Sequence, residues 1–318
     1  MLIIHGSRTV DRPVAVTIGN FDGVHRGHQA MVARTIAAAR RRGLRSCVLT
    51  FEPHPREFFS SAGAPTRLTS LREKLELLGA LGMECTYIAR FDRRFASHTA
   101  QDFVHELLIR QLRAAWILVG GDFRFGAGRA GDLPLLTALG RAAGVEVEVI
   151  ETITDGGLRI SSSAVRSALA QGELGRAESL LGRRYSISGR VVHGDKLGRT
   201  LGYPTANVQL KHNHPPLLGI YAVRVHGIAA DALDGVASLG YRPTVSNATR
   251  PQLEVFVFDF SGELYGCHVR VEFIARIRDE EKYDTLEALK AAIGRDCVAA
   301  REILQRRATE GAAEMRNV

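Results

Sequence analysis

The hydrophobic pattern of this chain changes type near residue 183, and that change limits the possible folds more than any other feature. Before it, short β-rich runs alternate with longer helical patterns, which is typical of βαβ units and a parallel sheet. The predicted strands are residues 14–19, 45–51, 85–91, 114–120 and 145–150. We therefore expect an α/β domain over residues 1–182, with ligands at the carboxyl ends of its strands.

Two helices of this first half have recognisable ends. Residues 28–42 form a helical pattern that Gly43 closes. Ser70 and Glu73 have the spacing of a capping box, and an amphipathic segment follows them. Both patterns fit helices that connect neighbouring strands of the sheet.

The second half of the chain has a different texture. Its runs are short, mostly alternating in polarity and separated by Gly, Pro and Asn, which favours an antiparallel sandwich or barrel. A long amphipathic helix from Thr285 to about Arg306 follows. We place the domain boundary near Gly182–Tyr185, so that the second domain covers residues 183–318.

Composition and charge exclude several classes of protein. The net charge of +8 is spread out, with 23 Lys+Arg against 18 Asp+Glu in residues 1–182 and 19 against 16 in residues 183–318. This even spread suits small anionic ligands better than nucleic acid. No run reaches the ~20 apolar residues of a membrane helix. The four cysteines lie far apart without a CxxC pair, which argues against zinc and disulfides and predicts a cytoplasmic protein.

The segment TIGNFDGVHRGH, residues 17–28, carries the first candidate site. A strand ends at Gly19 and a helix follows, so unpaired N–H groups and the positive end of a helix dipole are available to phosphate. His25 and His28 lie on one side of the turn, where imidazoles are able to donate to a phosphate as negative charge builds. On the pattern alone, the histidines could equally bind a metal or stand exposed at a helix start.

Further phosphate donors lie later in the same half. Ser161, Ser162 and Ser163 precede a helix, which they are able to cap while offering hydroxyl and N–H groups to phosphate. Arg166 supplies a guanidinium fork for another phosphate. Taken alone, the serines are equally consistent with a plain N-cap.

The segment GDKLGRTLGYPTANV, residues 194–208, carries the second candidate site. Its glycines permit a loop folded over phosphates. Thr205 and Asn207 stand two apart in an extended segment, so they share a face and offer hard oxygen ligands to Mg²⁺ beside nucleotide phosphates. The alternative is a turn begun by Pro204, with Asn207 bonded to the local backbone.

Glu254 is a candidate general base. It alternates with Phe256, Phe258 and Phe260, so it shares their face of a strand. A carboxylate among aromatic rings is costly unless it is paired or functional, and burial raises the pKa of such a group towards the range of a base. The alternative is an edge position with the carboxylate in water.

Together, these segments resemble a known enzyme family. HRGH at 25–28 is similar to the HxGH signature of nucleotidylyltransferases, and PTAN at 204–207 is similar to the signature of riboflavin kinases. TFEPHPREFF (50–59), VGGDFRFGAGRAGD (119–132) and RISSSAVRSAL (159–169) resemble segments of the prokaryotic bifunctional riboflavin kinase/FAD synthetase family. The resemblance covers nearly the whole chain.

This resemblance implies a fold and a function for each half. The N-terminal half would be a Rossmann-like nucleotidylyltransferase domain that transfers AMP from ATP to FMN, giving FAD and pyrophosphate. The C-terminal half would be an antiparallel six-stranded β-barrel followed by a long helix, and would phosphorylate riboflavin to FMN with ATP and Mg²⁺. The implied partners are these small molecules, with no nucleic acid and no membrane, and assembly into a homo-oligomer stays open.

The resemblance also implies the site residues of both halves. Those expected to hold ATP for adenylyl transfer are Gly19, Asn20, Phe21, Asp22, Gly23, His25, His28, Arg159, Ser162, Ser163 and Arg166. Those expected to hold the flavin nucleotide there are Pro53, His54, Asp122, Phe123 and Phe125. The kinase residues expected to hold ATP are Gly194, Lys196, Gly198, Gly202, Pro204, Thr205 and Asn207, of which the last two also bind Mg²⁺. The kinase residues near the flavin are Arg278, Glu281 and Tyr283, and the expected catalytic residues are Glu254, His25, His28 and Arg166.

Two residues depart from the family pattern. Many relatives carry Asn where this chain has Asp122, and Thr where it has Ser163. Ser163 keeps the hydroxyl. A carboxylate donates no hydrogen bond unless it is protonated, so the flavin contact of Asp122 is a weaker expectation than the rest.

Two other functions explain part of the sequence. A related adenylyl- or cytidylyltransferase acting on another phosphate or acid accounts for the paired histidines but leaves PTAN and Glu254 without a purpose. A flavin-binding or regulatory protein with inactive sites predicts that a key residue is missing. The residues that such a protein could lose are all present: His28, Arg166, Thr205, Asn207 and Glu254.

Overall fold

The computed structural model describes residues 1–6, 8–60, 63–194, 201–211, 214–243 and 249–316. The chain divides into two compact units. The first unit contains residues 1–65 and 69–162, and the second contains residues 66–68 and 163–318. The units therefore change near residue 162, ahead of the boundary at 182/183, which stays a prediction.

The first unit is built on a parallel sheet, as the alternating pattern predicts. Its strands are β1 (Leu2–His5), β2 (Val14–Ile18), β3 (Arg45–Glu52), β4 (Cys85–Arg90), β5 (Ala114–Gly120) and β6 (Glu146–Ile150). They lie in the order β1-β4-β3-β2-β5-β6, and every neighbouring pair is parallel. Strand β1 was not predicted, because it is a short edge strand with only Ile4 buried.

Helices connect these strands. They are α1 (Arg26–Arg42), α2 (Pro55–Phe59), α3 (Leu71–Ala80), α4 (Arg93–Ala96), α5 (Ala100–Asp102, continuing as a π-helical segment, Phe103–Gln111) and α6 (Leu133–Ala142). A small hairpin of β7 (Thr154–Asp155) and β8 (Leu158–Arg159) follows β6. The predicted helix end at Gly43, which adopts a left-handed conformation, and the predicted Ser70–Glu73 capping box are both confirmed.

The second unit contains a closed antiparallel barrel. Helices α7 (Ser162–Ala170) and α8 (Leu174–Leu181) precede it in the chain. The barrel strands are β9 (Ser186–Val192), β10 (Ala206–Val208), β11 (Gly219–His226), β12 (Leu233–Pro243), β13 (Thr249–Val257) and β14 (His268–Arg278). They close in the order β10-β13-β12-β11-β14-β9, which confirms the barrel expectation over the sandwich. Helix α9 (Leu286–Arg316) follows and runs beyond the predicted end at Arg306.

The two sides of β13 face different surroundings. Leu253, Val255 and Val257 are buried on one side. Phe256 lies on the other side and packs on a cluster that includes Ala300 and other residues of α9. Glu254 shares the side of Phe256, because alternate residues of a strand point the same way. The predicted alternation is confirmed for Phe256 only, because β13 ends at Val257, before Phe258 and Phe260. The residues directly opposite Glu254 are polar, namely Asn207 of β10 and Ser238 of β12.

Matched core substitutions test whether each unit has its own hydrophobic core. Leu49 of β3 and Leu253 of β13 are both fully buried. Replacing either by Ala should cost ~2–5 kcal/mol of unfolding free energy, through lost contacts and a residual cavity. Scanning calorimetry should show Leu49→Ala and Leu253→Ala lowering different transitions. One transition shifted equally by both would contradict separate cores.

Candidate functional sites

The turn that follows β2 has an unusual backbone. Gly23 has a φ of 80°, and the non-glycine residues Phe21 and Val24 have φ values of 48° and 41°. Positive φ is costly for residues with a Cβ, and such residues cluster at binding and catalytic sites. The ring of Phe21 lies against Gly19, where an added Cβ would approach within 3.2 Å of it. This close packing holds the turn tightly at the carboxyl end of β2.

Buried hydrogen bonds hold the turn in this shape. The Asp22 side chain is 4% exposed, and its Oδ1 accepts from the N–H of Thr69 at 3.1 Å and from its hydroxyl at 3.3 Å. The Gly23 N–H donates to Thr69 Oγ1 at 3.1 Å. The Ser162 hydroxyl donates to the Asp22 carbonyl at 2.9 Å. Asp22 therefore has a structural function that the sequence pattern did not reveal.

His25 both ends the turn and caps helix α1. Its Nδ1 accepts a hydrogen bond from the His28 N–H at 3.3 Å. Because Nδ1 is the acceptor, the neutral ring carries its proton on Nε2. The two imidazoles stack with centroids 3.7 Å apart and planes 17° apart. Helix α1 starts earlier than predicted because His25 itself supplies the cap.

His28 lies in surroundings that disfavour its charged form. Burial lowers the pKa of its imidazole well below the ordinary value, and the charges of His25 and Lys74 lower it further. Its ring also lies 4.9 Å from the ring of Phe21. Its Nδ1 is buried and has no hydrogen-bond partner among the described residues. A neutral imidazole with an unsatisfied nitrogen suits an incoming polar ligand.

The other residues expected to hold ATP lie in several separate segments of the chain. Asn20 lies in the turn, and its carbonyl accepts from the Thr50 hydroxyl at 3.2 Å. Arg159 ends the small hairpin. Ser163 and Arg166 lie in α7 and belong to the second compact unit, where the Arg166 guanidinium donates to the Thr66 carbonyl.

The residues expected to hold the flavin nucleotide follow strands β3 and β5. Phe123 and Phe125 stack with centroids 5.5 Å apart, and Phe125 covers Gly131 so closely that an added Cβ would lie 2.7 Å from its ring. Pro53 precedes α2, and His54 caps it by accepting from the Arg56 N–H at 3.1 Å. Phe123 and Phe125 follow β5, and Pro53 and His54 follow β3, so all four lie beyond the carboxyl ends of parallel strands.

Sequence reasoning missed two exposed aromatic residues that follow Pro53 and His54 closely in the chain. Phe58 and Phe59 end α2 and make edge contacts with Phe91 at 5.5 and 5.8 Å. Phe59 is 69% exposed, which is unusual for a large aromatic side chain. The double phenylalanine at the end of TFEPHPREFF was the available signal.

Asp122 departs from the family pattern and forms an ion pair. Its Oδ2 lies 2.6 Å from an Arg159 guanidinium nitrogen. This hydrogen bond lowers the pKa of the Asp122 carboxyl, so the group is ionised at neutral pH and accepts rather than donates. The pair joins a residue expected to contact flavin to one expected to contact ATP.

The second candidate site is set by strand register. Asn207 of β10 lies directly opposite Glu254 of β13, and opposed residues point to the same side of a sheet. The Gln252 amide donates to Asn207 Oδ1 and to Glu254 Oε1, the latter at 3.0 Å. Asn207 is buried, and its amide lies so close to Gly194 that a Cβ there would overlap it.

The rest of this site is described in part. Thr205 is half-buried and immediately precedes β10, whereas Gly202 and Pro204 are exposed. Lys196 and Gly198, which were expected to bind phosphate, lie outside the described residues.

Arg278 is held by contacts within the protein. Its guanidinium makes two hydrogen bonds to the buried Asp296 of α9, at 2.8 and 2.6 Å, and this pairing raises the pKa of Arg278. It also donates to the Asp279 carbonyl at 2.8 Å and lies 5.9 Å from the Tyr283 ring centroid. Glu281 is exposed and accepts from the Tyr283 hydroxyl at 2.7 Å. Arg278 thus fixes the segment that carries Glu281 and Tyr283.

No group of three or more His, Cys, Asp or Glu side chains among the described residues could hold a metal ion. None of the described helices is long and apolar enough to cross a membrane.

Comparison with known proteins matches both halves of the chain. A family model described as FAD synthetase matches residues 7–164, and one described as riboflavin kinase matches residues 181–304. Because the second half also matches, the alternative of a nucleotidylyltransferase that has only the first site is excluded.

Whole-chain relatives agree with the two family models. A bifunctional riboflavin kinase/FMN adenylyltransferase of Escherichia coli strain K12 is 51% identical over 287 residues, covering 90% of this chain and 91% of the relative. The protein of the same description from Pseudomonas fluorescens is 45% identical over 300 residues, covering 94% and 96%. A crystal structure described as a macrolide-efflux protein from Streptococcus pneumoniae is 32% identical, with a TM-score of 0.77 over 93% of this chain and 97% of that one.

The lowered pKa of His28 gives a direct test of the first site. We expect the ring to stay neutral as the pH falls below about 6.5, the ordinary histidine value. Because the unfolded chain then binds the proton more readily, the stability that His28 contributes is present above that pH and is lost as the pH falls through the folded-state pKa. Side-chain ¹⁵N NMR over a pH series, with His28→Gln to identify the signal, measures this. Protonation of His28 in the ordinary range would contradict it.

Proposed function

The chain belongs to the bifunctional riboflavin kinase/FMN adenylyltransferase family, and we propose which of its residues carry out the two reactions of that family. The enzyme phosphorylates riboflavin to FMN with ATP and adenylylates FMN with a second ATP to give FAD and pyrophosphate. In our proposal, the turn that carries His25 and His28 serves adenylyl transfer, and the Asn207–Glu254 pair serves phosphorylation.

The observation that carries the first assignment is the stacked histidine pair at the start of α1, in which burial disfavours the charged form of His28. When an FMN phosphate oxygen attacks the α-phosphorus of ATP, charge builds on the phosphate oxygens as pyrophosphate leaves. The Nε2 proton of His25 and the imidazole of His28 stabilise that charge as preorganised donors. The neutrality of His28 matters, because a neutral ring donates a hydrogen bond without the desolvation cost of a buried cation.

The remaining ATP residues act by position. Gly19, Asn20, Phe21 and Gly23 shape the turn so that the phosphates approach its backbone closely. The buried Asp22 carboxylate stabilises that shape by accepting a hydrogen bond from the Thr69 N–H. Arg159, Ser162, Ser163 and Arg166 contribute further hydroxyl and guanidinium donors to the phosphates.

We place the FMN substrate of this reaction at the carboxyl ends of β3 and β5. Pro53, His54, Phe123 and Phe125 contact the flavin, and the exposed Phe59 supplies a further ring. Stacking on aromatic faces suits a flat ligand of this kind. Asp122 acts by orienting Arg159 and makes no donor contact to flavin.

Glu254 is the base of the kinase reaction. It takes the proton from the ribityl 5′-hydroxyl of riboflavin as that oxygen attacks the γ-phosphorus of ATP, and ADP leaves. Gln252 orients the carboxylate through the 3.0 Å hydrogen bond to Oε1. Glu281 and Tyr283 contact the flavin, and Arg278 positions them through Asp296.

Thr205 and Asn207 fit an Mg²⁺ ion that accompanies ATP. Both offer hard oxygens, and the Asn207 Oδ1 keeps a second lone pair beyond the one used by Gln252. When bound, the ion would neutralise charge on the β- and γ-phosphates. Gly194, Lys196, Gly198, Gly202 and Pro204 complete the phosphate loop in this proposal.

We further propose the setting in which the enzyme works. The two activities belong to domains of residues 1–182 and 183–318. The protein acts in the cytoplasm on small molecules, needs neither nucleic acid nor a membrane, and is compatible with a homo-oligomer.

Two substitutions should separate the activities in the intact chain. His28→Ala should lower FAD formation from FMN by roughly 10²-fold or more, the scale for losing a preorganised donor, and leave FMN formation intact. Glu254→Ala should abolish FMN formation from riboflavin and leave FAD formation from supplied FMN intact. Chromatography of the flavins over time, with ATP and Mg²⁺ present, measures both. Equal damage to both activities in a folded variant would refute the assignment.

The Mg²⁺ proposal has its own test. Asn207→Ala should raise the Mg²⁺ concentration for half-maximal FMN formation by about tenfold or more, because it removes an oxygen ligand. Gln209→Ala is the matched control, since Gln209 is exposed just beyond β10. An unchanged Mg²⁺ dependence in Asn207→Ala would remove Asn207 from the metal site.

A further inference from the structure

Lys74 occupies an unexpected position in helix α3. It is the only lysine in residues 1–182, where the other 22 basic residues are arginines. Leu78, four residues later, is fully buried in a cluster with Val48, so this face of α3 packs on the core. Lys74 on the same face is only 4% exposed. Burying an ammonium is costly and uncommon unless it has specific partners.

The Lys74 side chain reaches the buried side of the turn that carries His25 and His28. Its Nζ lies 3.5 Å from Thr50 Oγ1, and the Thr50 hydroxyl donates to the Asn20 carbonyl at 3.2 Å. Thr50 is itself fully buried at the end of β3. A chain of polar contacts therefore connects Lys74 to Asn20, next to the strained residue Phe21.

The start of α3 fixes the direction of this side chain. The Ser70–Glu73 capping box holds the first turn, and the Lys74 N–H donates to the Ser70 carbonyl at 3.0 Å. Thr69, the residue before the cap, donates to Asp22. The same helix start thus stabilises the turn at Asp22 and directs the Lys74 side chain towards Asn20.

We propose that Lys74 is a positioning residue for adenylyl transfer: through Thr50 it holds the Asn20 carbonyl, and its buried positive charge sets the electrostatic surroundings in which His28 meets the phosphates. The inference rests on the proposed function of the histidine turn. Nothing in the family match or in the sequence pattern assigned a function to this lysine.

The electrostatics of His28 agree with this function. The positive charge of Lys74 is one of the causes that lower the pKa of His28, together with burial and the charge of His25. Of the other ionisable groups in the turn and α1, Asp22 is engaged by Thr69, and Arg26 pairs with Asp155 at 3.4 Å. Burial is the largest cause of the low pKa of His28, and Lys74 adds to it from α3.

A lysine suits this position better than an arginine. The ammonium is a compact point charge on a flexible stem, and it fits under a turn where a planar guanidinium would need more space and more acceptors. The prevalence of arginine elsewhere in residues 1–182 makes the single lysine informative, because general basicity does not require it.

The test uses Lys74→Met, which keeps an unbranched side chain one atom shorter and removes its charge, and Lys74→Arg, which keeps the charge and changes the shape. Lys290→Met is the matched control, because Lys290 is exposed on α9. Each full-length variant is assayed for FAD formation from FMN over a pH series and for FMN formation from riboflavin. His28 is followed by side-chain ¹⁵N NMR, and folding by calorimetry.

The proposal predicts three results for Lys74→Met. The kcat for FAD formation falls by roughly tenfold or more, which is less than the roughly 10²–10³-fold expected for losing a direct donor, because Lys74 acts through Thr50 and His28. The pKa of His28 rises, so that activity is lost at a higher pH on acidification than in the wild type. FMN formation and the Lys290→Met control stay unchanged. Lys74→Arg keeps the low pKa of His28 while losing part of the kcat, which makes the proposal testable even if Lys74→Met fails to fold.

Two results would overturn the proposal. One is lower stability in Lys74→Met with an unchanged His28 titration and an unchanged kcat, which would make Lys74 a structural residue only. The other is a His28 side chain in Lys74→Arg that titrates at the ordinary histidine pKa. Failure of the proposed function is distinguishable, because in that case His28→Ala would form FAD at the wild-type rate whatever Lys74 does.

Discussion

The buried contacts of Asp22 determine the first site of this enzyme. The turn after β2 contains positive φ angles at Phe21 and Val24, each costing about 1–3 kcal/mol, and it persists because surrounding contacts hold it. Asp22 accepts from Thr69 through its side chain and from Ser162 through its carbonyl, so segments distant in sequence meet at one point. Without these hydrogen bonds, the turn would no longer hold the stacked imidazoles in the fixed positions that preorganised donors need.

The second site follows the same principle with a different element. There, antiparallel register places Asn207 directly opposite Glu254, and Gln252 bridges the two side chains. A shift of register by one residue would move Glu254 into the barrel interior among the buried neighbours of Leu253. The closed barrel prevents that shift, because it leaves no free edge along which a strand could slide.

Periodicity predicted the folds well, because buried strands and amphipathic helices leave a regular pattern. Strand β1 escaped prediction, since only Ile4 of its four residues is buried. Within the sites, HRGH and PTAN pointed to the right segments. The sequence did not reveal the buried residues that hold these segments in place. In the sequence, Lys74 is one charge on an amphipathic helix, and only the packing of α3 shows that it is buried. The capacity of Asp122 to pair with Arg159 likewise depends on contacts between distant segments.

The central claim is that one chain holds two separate sites for ATP. Isothermal titration calorimetry with a non-hydrolysable ATP analogue and Mg²⁺ tests it most directly. The account predicts two binding events per chain, of which His28→Ala weakens one and Asn207→Ala weakens the other. A single binding event in the wild-type protein, or one that both substitutions weaken together, would contradict it.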